Sequence, residues 1–486
     1  MTTLIKNGLV YDGSGKEPER KDILIRGNKI VSFGLFPKKG AHHVIDASGS
    51  IVMPGFIDVN SDADHYSYGF QDDASELLLR GITTAIGGNF GVSLAPYYHE
   101  THPKLFHGSI DWLTFDEFLK TLTKHGVPFH YGSLIGYQTV RGWCTKGNIR
   151  DLSLPEEDLV AHTIRVALAS GAFGVSFDAG YLFDAHIPFR ELELVARLLE
   201  KTGKIFSINM EIKDDSSLVF LEEVFNLAKQ FELNLQINNF EPLITHPLLF
   251  ESARQLFEQQ SADIQAHFGM KFFNEKLLHI KKFFPSYLQD KDAHVLHKEI
   301  HKRFIKEDVL AYFHAFPLQD AVIAKLPSPF SSFEGKTLRA FSESYGISFE
   351  EGLLKLAELC GFEGYILCPL VDRGILETFA VSPHSIITGL PFFAIQEGDN
   401  SCSLRAFLEF QEKAGLLPLE KAIMKCTSIP AQKYNLRERG FLKENYIADI
   451  VILRDFFPSH VLIDGEIVVE EGNIKRKKSG SVVLYT

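Results

Sequence analysis

Apolar and polar positions alternate with a period of two at both ends of the 486-residue chain and shift to helical spacing between them. Residues 4–13 read as a strand, an Asn-Gly turn signal and a second strand. Residues 22–31 repeat the pattern around Gly27-Asn28, and residues 449–453 and 461–469 repeat it again around Asp464-Gly465. Two strand-rich ends predict one composite β-sandwich domain built from residues 1–53 and 432–486. In the middle, β runs at 81–88, 129–135, 172–176, 205–210 and 234–239 alternate with helical patterns at 115–125, 156–170, 191–202 and 218–230. Strands separated by helices of this length predict a parallel sheet, and their number favours a closed (β/α)8 TIM-type barrel over residues 54–431. The fold class is therefore α/β, with the active site expected at the C-terminal ends of the barrel strands. Residues 245–335 break the rhythm, are rich in Phe, Lys and His, and read as an insertion or lid.

Charge and composition narrow the function. A formal net charge of −12 gives no basic footprint for nucleic acid or an anionic membrane surface. Mean hydropathy is −0.01, and no apolar run reaches the ~18 residues of a membrane span. The N-terminal residues lack a basic segment followed by an apolar one, so the expected compartment is the cytoplasm. Five cysteines, none spaced C-x-x-C, predict neither a disulfide framework nor a thiolate zinc site. The 245–335 stretch holds His267, His279, His294, His297, His301 and His314; His297 and His301 stand four apart without the Glu of an H-E-x-x-H frame and read as a solvated helix face.

Six segments in order carry a more specific signal: residues 51–58 (IVMPGFID), 81–84 (GITT), 88–96 (GNFGVSLAP), 171–176 (GAFGVS), 427–431 (TSIPA) and 439–451 (RGFL…ADIV). Together they resemble the amidohydrolase superfamily, and within it the N-acyl-D-amino-acid deacylases, over nearly the whole chain outside 245–335. The resemblance implies an amidohydrolase-type barrel with a small β domain, zinc at the strand ends, and hydrolysis of non-peptide C–N amide bonds. The departures from the family lie at the strand ends themselves. The family's His-x-His corresponds to Asn60 and Asp62, its metal-binding Cys to Phe90, its two later His residues to Asn209 and Asn239, and its catalytic Asp to Leu390.

Zinc needs imidazole, thiolate or carboxylate ligands, usually three or four together. Of the six positions only Asp62 offers one. Without the metal no bound water is brought to a pKa of about 7, and without the Asp no general base is evident. Where the family has Arg and Lys near the pocket mouth, this chain has Glu211 and Glu241, which predicts a site better suited to a cationic or neutral ligand. Ser176, Asp178 and Tyr181 fall in a segment similar to the family's pocket wall. The resulting expectation is a pseudoenzyme that has kept the barrel, binds a small molecule or partner, and takes no cofactor. The alternative is an active hydrolase with a rebuilt site: Asp58, Asn60, Asp62 and Asp64 would share one strand face and could hold a hard cation, with Asp62 as the catalytic candidate. A third reading makes 245–335 a contact surface. The resemblance also implies a homo-oligomer.

Overall fold

The computed structural model describes residues 1–61, 75–97, 110–148, 150–179, 189–289, 291–389 and 402–485. Eight parallel strands stand in barrel order: β1 (Phe56–Asp58), β2 (Ile82–Gly87), β3 (His130–Ser133, continued by Ile135–Gly136), β4 (Gly174–Asp178), β5 (Ile205–Asn209), β6 (Asn234–Asn238), β7 (Gln265–Lys271) and β8 (Ser385–Thr388). The first half of β3 pairs with β2 and the second half with β4, so β3 joins the two arcs of the wall. The remaining seam, between β8 and β1, is bridged where the Gly389 amide donates to Asp58 Oδ1 at 2.9 Å.

Strand alternation sorts the side chains into two layers. Val175, Phe177, Phe206, Ile208, Leu235 and Ile237 face outward into the main apolar core with the helices. Inside the barrel, Ile57, Val59, Ile86, Leu134, Phe173, Ile205 and Ile386 form a separate cluster with Ala431, Tyr434 and Leu436. Nearer the C-terminal ends the interior turns polar: Gln236 Nε2 donates to Asn238 Oδ1 at 3.0 Å, and Asn238 Nδ2 to Ser207 Oγ at 3.2 Å. The mouth thus sits on a polar floor above an apolar plug.

Both termini contribute to one nine-stranded sheet, joined where Ile51–Pro54 pairs antiparallel with Ile450–Arg454. The Gly27-Asn28 and Asp464-Gly465 turns fall where the sequence places them. Asn7-Gly8 differs. Thr2–Val10 is one continuous strand whose register shifts between Ile5 and Gly8, with Asn7 at φ 63°, so the turn signal marks a β-bulge. A side chain at Gly8 would place its Cβ 2.4 Å from Val52 Cγ2.

The break in rhythm also begins later than residue 245. Pro247–Gln260 is a helix packed on the barrel, and β7 is a full barrel strand paired with β6 and β8. The irregular part lies between β7 and β8 and extends past residue 335. It holds a three-stranded antiparallel sheet in which Tyr365–Cys368 runs between Lys276–His279 and Val322–Lys325. Around that sheet is a second core that includes Phe283, Phe284, Leu296, Ile300, Phe313, Leu356 and Phe362. Among the described residues no helix is long and apolar enough to cross a membrane.

Candidate functional site

The first barrel strand ends abruptly. Asp58 Oδ1 accepts from the Asn60 amide at 3.2 Å as well as from Gly389, and the chain bends at Val59-Asn60. The strand is three residues long. Asn60 therefore lies past the end of the strand that carries Asp58, where the Asp58 carboxylate receives the Asn60 amide and braces the barrel seam. Asp62 and Asp64 lie outside the described residues, as do Tyr181 and Leu390. Asn60 is buried, and neither its side-chain oxygen nor its nitrogen has a hydrogen-bond partner among the described residues.

The turn after β2 is built by its neighbours. Asn89 Nδ2 donates to the Ile86 and Ser61 carbonyls at 2.8 and 3.2 Å, tying the turn to the end of β1. Ser176 Oγ donates to the Gly88 carbonyl at 2.5 Å and accepts from the Gly91 amide at 3.1 Å. These bonds hold Phe90 at φ 57°. At Gly91, φ is 71° and a Cβ would sit 1.6 Å from Gln138 Oε1, so only glycine fits. Ser176 is fully buried. Its hydroxyl braces the loop.

On the opposite side, Asn209 closes β5 and donates through Nδ2 to Asp178 Oδ1 at 3.2 Å, while its own Oδ1 has no partner among the described residues. Asn239 follows β6 at φ 57°. Its Oδ1 accepts from the Lys271 ammonium at 2.8 Å. That ammonium, carried by the last residue of β7, also lies 6.0 Å from the centre of the Phe90 ring, at the edge of cation–π range. Lys271 thus lies between Asn239 and Phe90, two of the strand-end positions singled out in the sequence.

Both glutamates meet the same lysine. Lys276 bonds Glu211 at 2.5 Å and lies 3.3 Å from Glu241. Glu241 is buried, and its Oε1 accepts from the Lys271 amide at 3.1 Å. Burial works against the charge on Lys276, but Glu211 and Glu241 together hold its ammonium above the ordinary lysine value. Reciprocally, Lys276 lowers the Glu211 carboxyl despite burial. Lys276 thus offsets part of the charge of the two glutamates.

Lys271 and Lys276 escape the sequence reading because residues 265–276 fall in the stretch set apart as irregular. A signal is present nonetheless. Ala266, Phe268 and Met270 are buried, whereas His267 and Lys271 are only partly so. That period of two marks a strand ending in Lys271.

Zinc does not fit the described part of this site. Asn60, Asn209 and Asn239 offer neutral amides, Phe90 offers nothing, and an ammonium occupies the side of Asn239. Among the described residues, the His, Cys, Asp and Glu groups close enough to share a cation lie elsewhere. They are His130–Asp449–Asp464 at the opposite end of the barrel and His297–His301–Glu358 on the surface. Nor is a reactive thiol on offer, since burial first, then Glu156, pushes Cys144 up to about 12.

No protein-family model matches the chain. Curated relatives do. A D-aminoacylase of Alcaligenes xylosoxydans xylosoxydans is 25% identical over 456 residues, covering 92% of this chain and 87% of that protein. An N-acyl-D-aspartate deacylase of the same organism is 25% identical over 488 residues, covering 94% and 86%. Among solved structures, a D-aminoacylase described as defining a novel subset of amidohydrolases superposes with a TM-score of 0.79 at 21% identity, covering 99% of each chain. The N-acyl-D-glutamate deacylase of Bordetella bronchiseptica, solved with zinc and a phosphonate mimic of its tetrahedral intermediate, gives 0.79 at 19% identity and the same coverage.

Proposed function

We propose that this chain, whose homologues and structural neighbours are D-aminoacylases and N-acyl-D-aspartate and N-acyl-D-glutamate deacylases of the amidohydrolase superfamily, binds a small ligand bearing an amide and a carboxylate at the barrel mouth without zinc-dependent hydrolysis. The observation that carries this reading is the Lys271 ammonium hydrogen-bonded to Asn239. A fixed positive charge does there part of what a metal would do in attracting an anionic group, and it opposes a metal. A divalent ion about 5 Å from an ammonium meets repulsion of about 7 kcal/mol at an effective dielectric of about 20.

Two further features support a ligand of this class. Among the described residues the buried side-chain amide of Asn60 and Oδ1 of Asn209 have no partner, and burial makes these groups costly to leave unpaired. They suit an amide group, and Lys271 suits a carboxylate. Beside them Lys276 offsets part of the charge of Glu211 and Glu241.

The test is calorimetry and turnover on one panel of N-acyl-D-amino acids, with and without added zinc. Saturable binding is expected, with no product above the buffer control in either condition. Zinc-stimulated turnover that disappears in Asp62→Ala would overturn the proposal and establish the rebuilt hydrolase in its place.

A further inference from the structure

A second constellation lies far from the barrel mouth, in the segment between β7 and β8. The helix Ala293–Ile300 ends at His301, and His297 stands one turn earlier. Residues four apart share a helix face, and here the two imidazoles meet with Nε2 atoms 3.3 Å apart and ring centres 4.6 Å apart. The helix Phe349–Leu359 brings Glu358 to the same point. Glu358 Oε1 lies 3.4 Å from His301 Nε2 and 3.8 Å from His297 Nδ1.

We propose that His297, His301 and Glu358 form a surface binding site for a divalent transition-metal ion of the zinc class, which pins these two helices together. Three features carry it. The residue types are right: two imidazoles and a carboxylate are good ligands for zinc, with a water completing four-coordination. The spacing is right as well. With bonds of about 2.05 Å and tetrahedral angles, ligand atoms should stand about 3.3 Å apart; His301 Nε2 lies 3.3 Å from His297 Nε2 and 3.4 Å from Glu358 Oε1, and one ligand atom from each of the three residues falls within 4.8 Å of the others. Finally, the ligands come from two helices packed on one apolar core, through Leu296 and Ile300 on one and Leu353, Leu356 and Ala357 on the other. The ion would therefore close a contact that packing has already aligned, without having to order it.

The sequence shows only half of this. His297 and His301 have metal-ligand spacing, but Glu358 lies more than fifty positions further on and is delivered by the fold. Both histidines are more than half exposed in their side chains, so ion exchange with solvent is unhindered. The site is independent of the barrel proposal and places no metal at the strand ends.

The test is titration of the intact protein with zinc at pH 7.5, followed by calorimetry and thermal unfolding, with cobalt as a spectroscopic substitute. One equivalent should bind with a micromolar dissociation constant and raise the unfolding temperature. Affinity should fall at least tenfold in His301→Gln and in His297→Gln, and several-fold in Glu358→Gln. All three changes are at partly exposed positions and should leave the apo circular dichroism spectrum intact. Failure of the native protein to bind zinc below millimolar concentration would overturn the proposal. So would unchanged affinity in the two histidine variants.

Discussion

The Lys271 ammonium donates a 2.8 Å hydrogen bond to the side-chain oxygen of Asn239, across the ends of neighbouring barrel strands. The Asn239 oxygen thus accepts a hydrogen bond from a fixed cation. If that charge holds the carboxylate of a ligand, Lys271→Gln should weaken binding of N-acetyl-D-amino acids at least tenfold in calorimetry. The same change should leave binding of the matching N-acyl amines, which lack the carboxylate, nearly untouched. Equal losses for both ligand types would deny Lys271 this role.

The Asp58–Gly389 bond closes the wall between the first and last strands. A Cβ on residue 389 would lie 2.2 Å from Asp58 Oδ2. Gly389→Ala should therefore displace the carboxylate and cost about 1–3 kcal/mol in urea unfolding, the usual range for forced overpacking. A cost below about 0.5 kcal/mol would mean that the seam does not depend on this contact.

Behind the third and fourth strands, Arg141 and Glu191 form a buried pair, with Arg141 Nε donating to Glu191 Oε2 at 2.9 Å and Nη2 to Oε1 at 3.3 Å. Tyr137 also donates to Glu191, with its ring stacked 4.3 Å from Phe177. Removing one member leaves the other charge buried. Glu191→Ala should cost about 3–5 kcal/mol, read from chemical denaturation. A loss near 1 kcal/mol would place the pair in contact with water.

Acid should weaken the fold through His267. Burial first, then Lys433, His384 and Lys425, pushes its imidazole down from 6.5 to about 3. Between those values the unfolded chain binds the proton that the folded one refuses. Stability is then retained above pH 6.5 and lost as pH falls toward 3, by up to about 1.4 kcal/mol per unit for this group. His267→Gln should flatten that part of the stability–pH curve. Parallel curves for the two proteins would contradict the assignment.

Much of the architecture is written in local pattern. Period-two runs at 205–210 and 234–239 become strands ending at Asn209 and Asn238, and the helix over Phe115–His125 matches its predicted span because a Thr114–Glu117 capping box starts it and Gly126 ends it. What the sequence hides is long-range partnership. Nothing near Glu241 announces that its carboxylate meets Lys276 and the Lys271 amide. Nor does Ser176 advertise that its hydroxyl braces a loop some 85 residues away. Asp58 misleads in a similar way: alternation places it on a face with Asn60, whereas the fold uses it to receive two backbone amides.

The most direct test of a metal-free barrel mouth is the zinc content of the His297→Ala/His301→Ala double variant, which lacks the proposed surface site. After incubation with excess zinc and gel filtration, elemental analysis should find well under one-tenth of an equivalent per chain. One equivalent retained, and released by Asp62→Ala, would show that the barrel still binds its metal and would contradict the account.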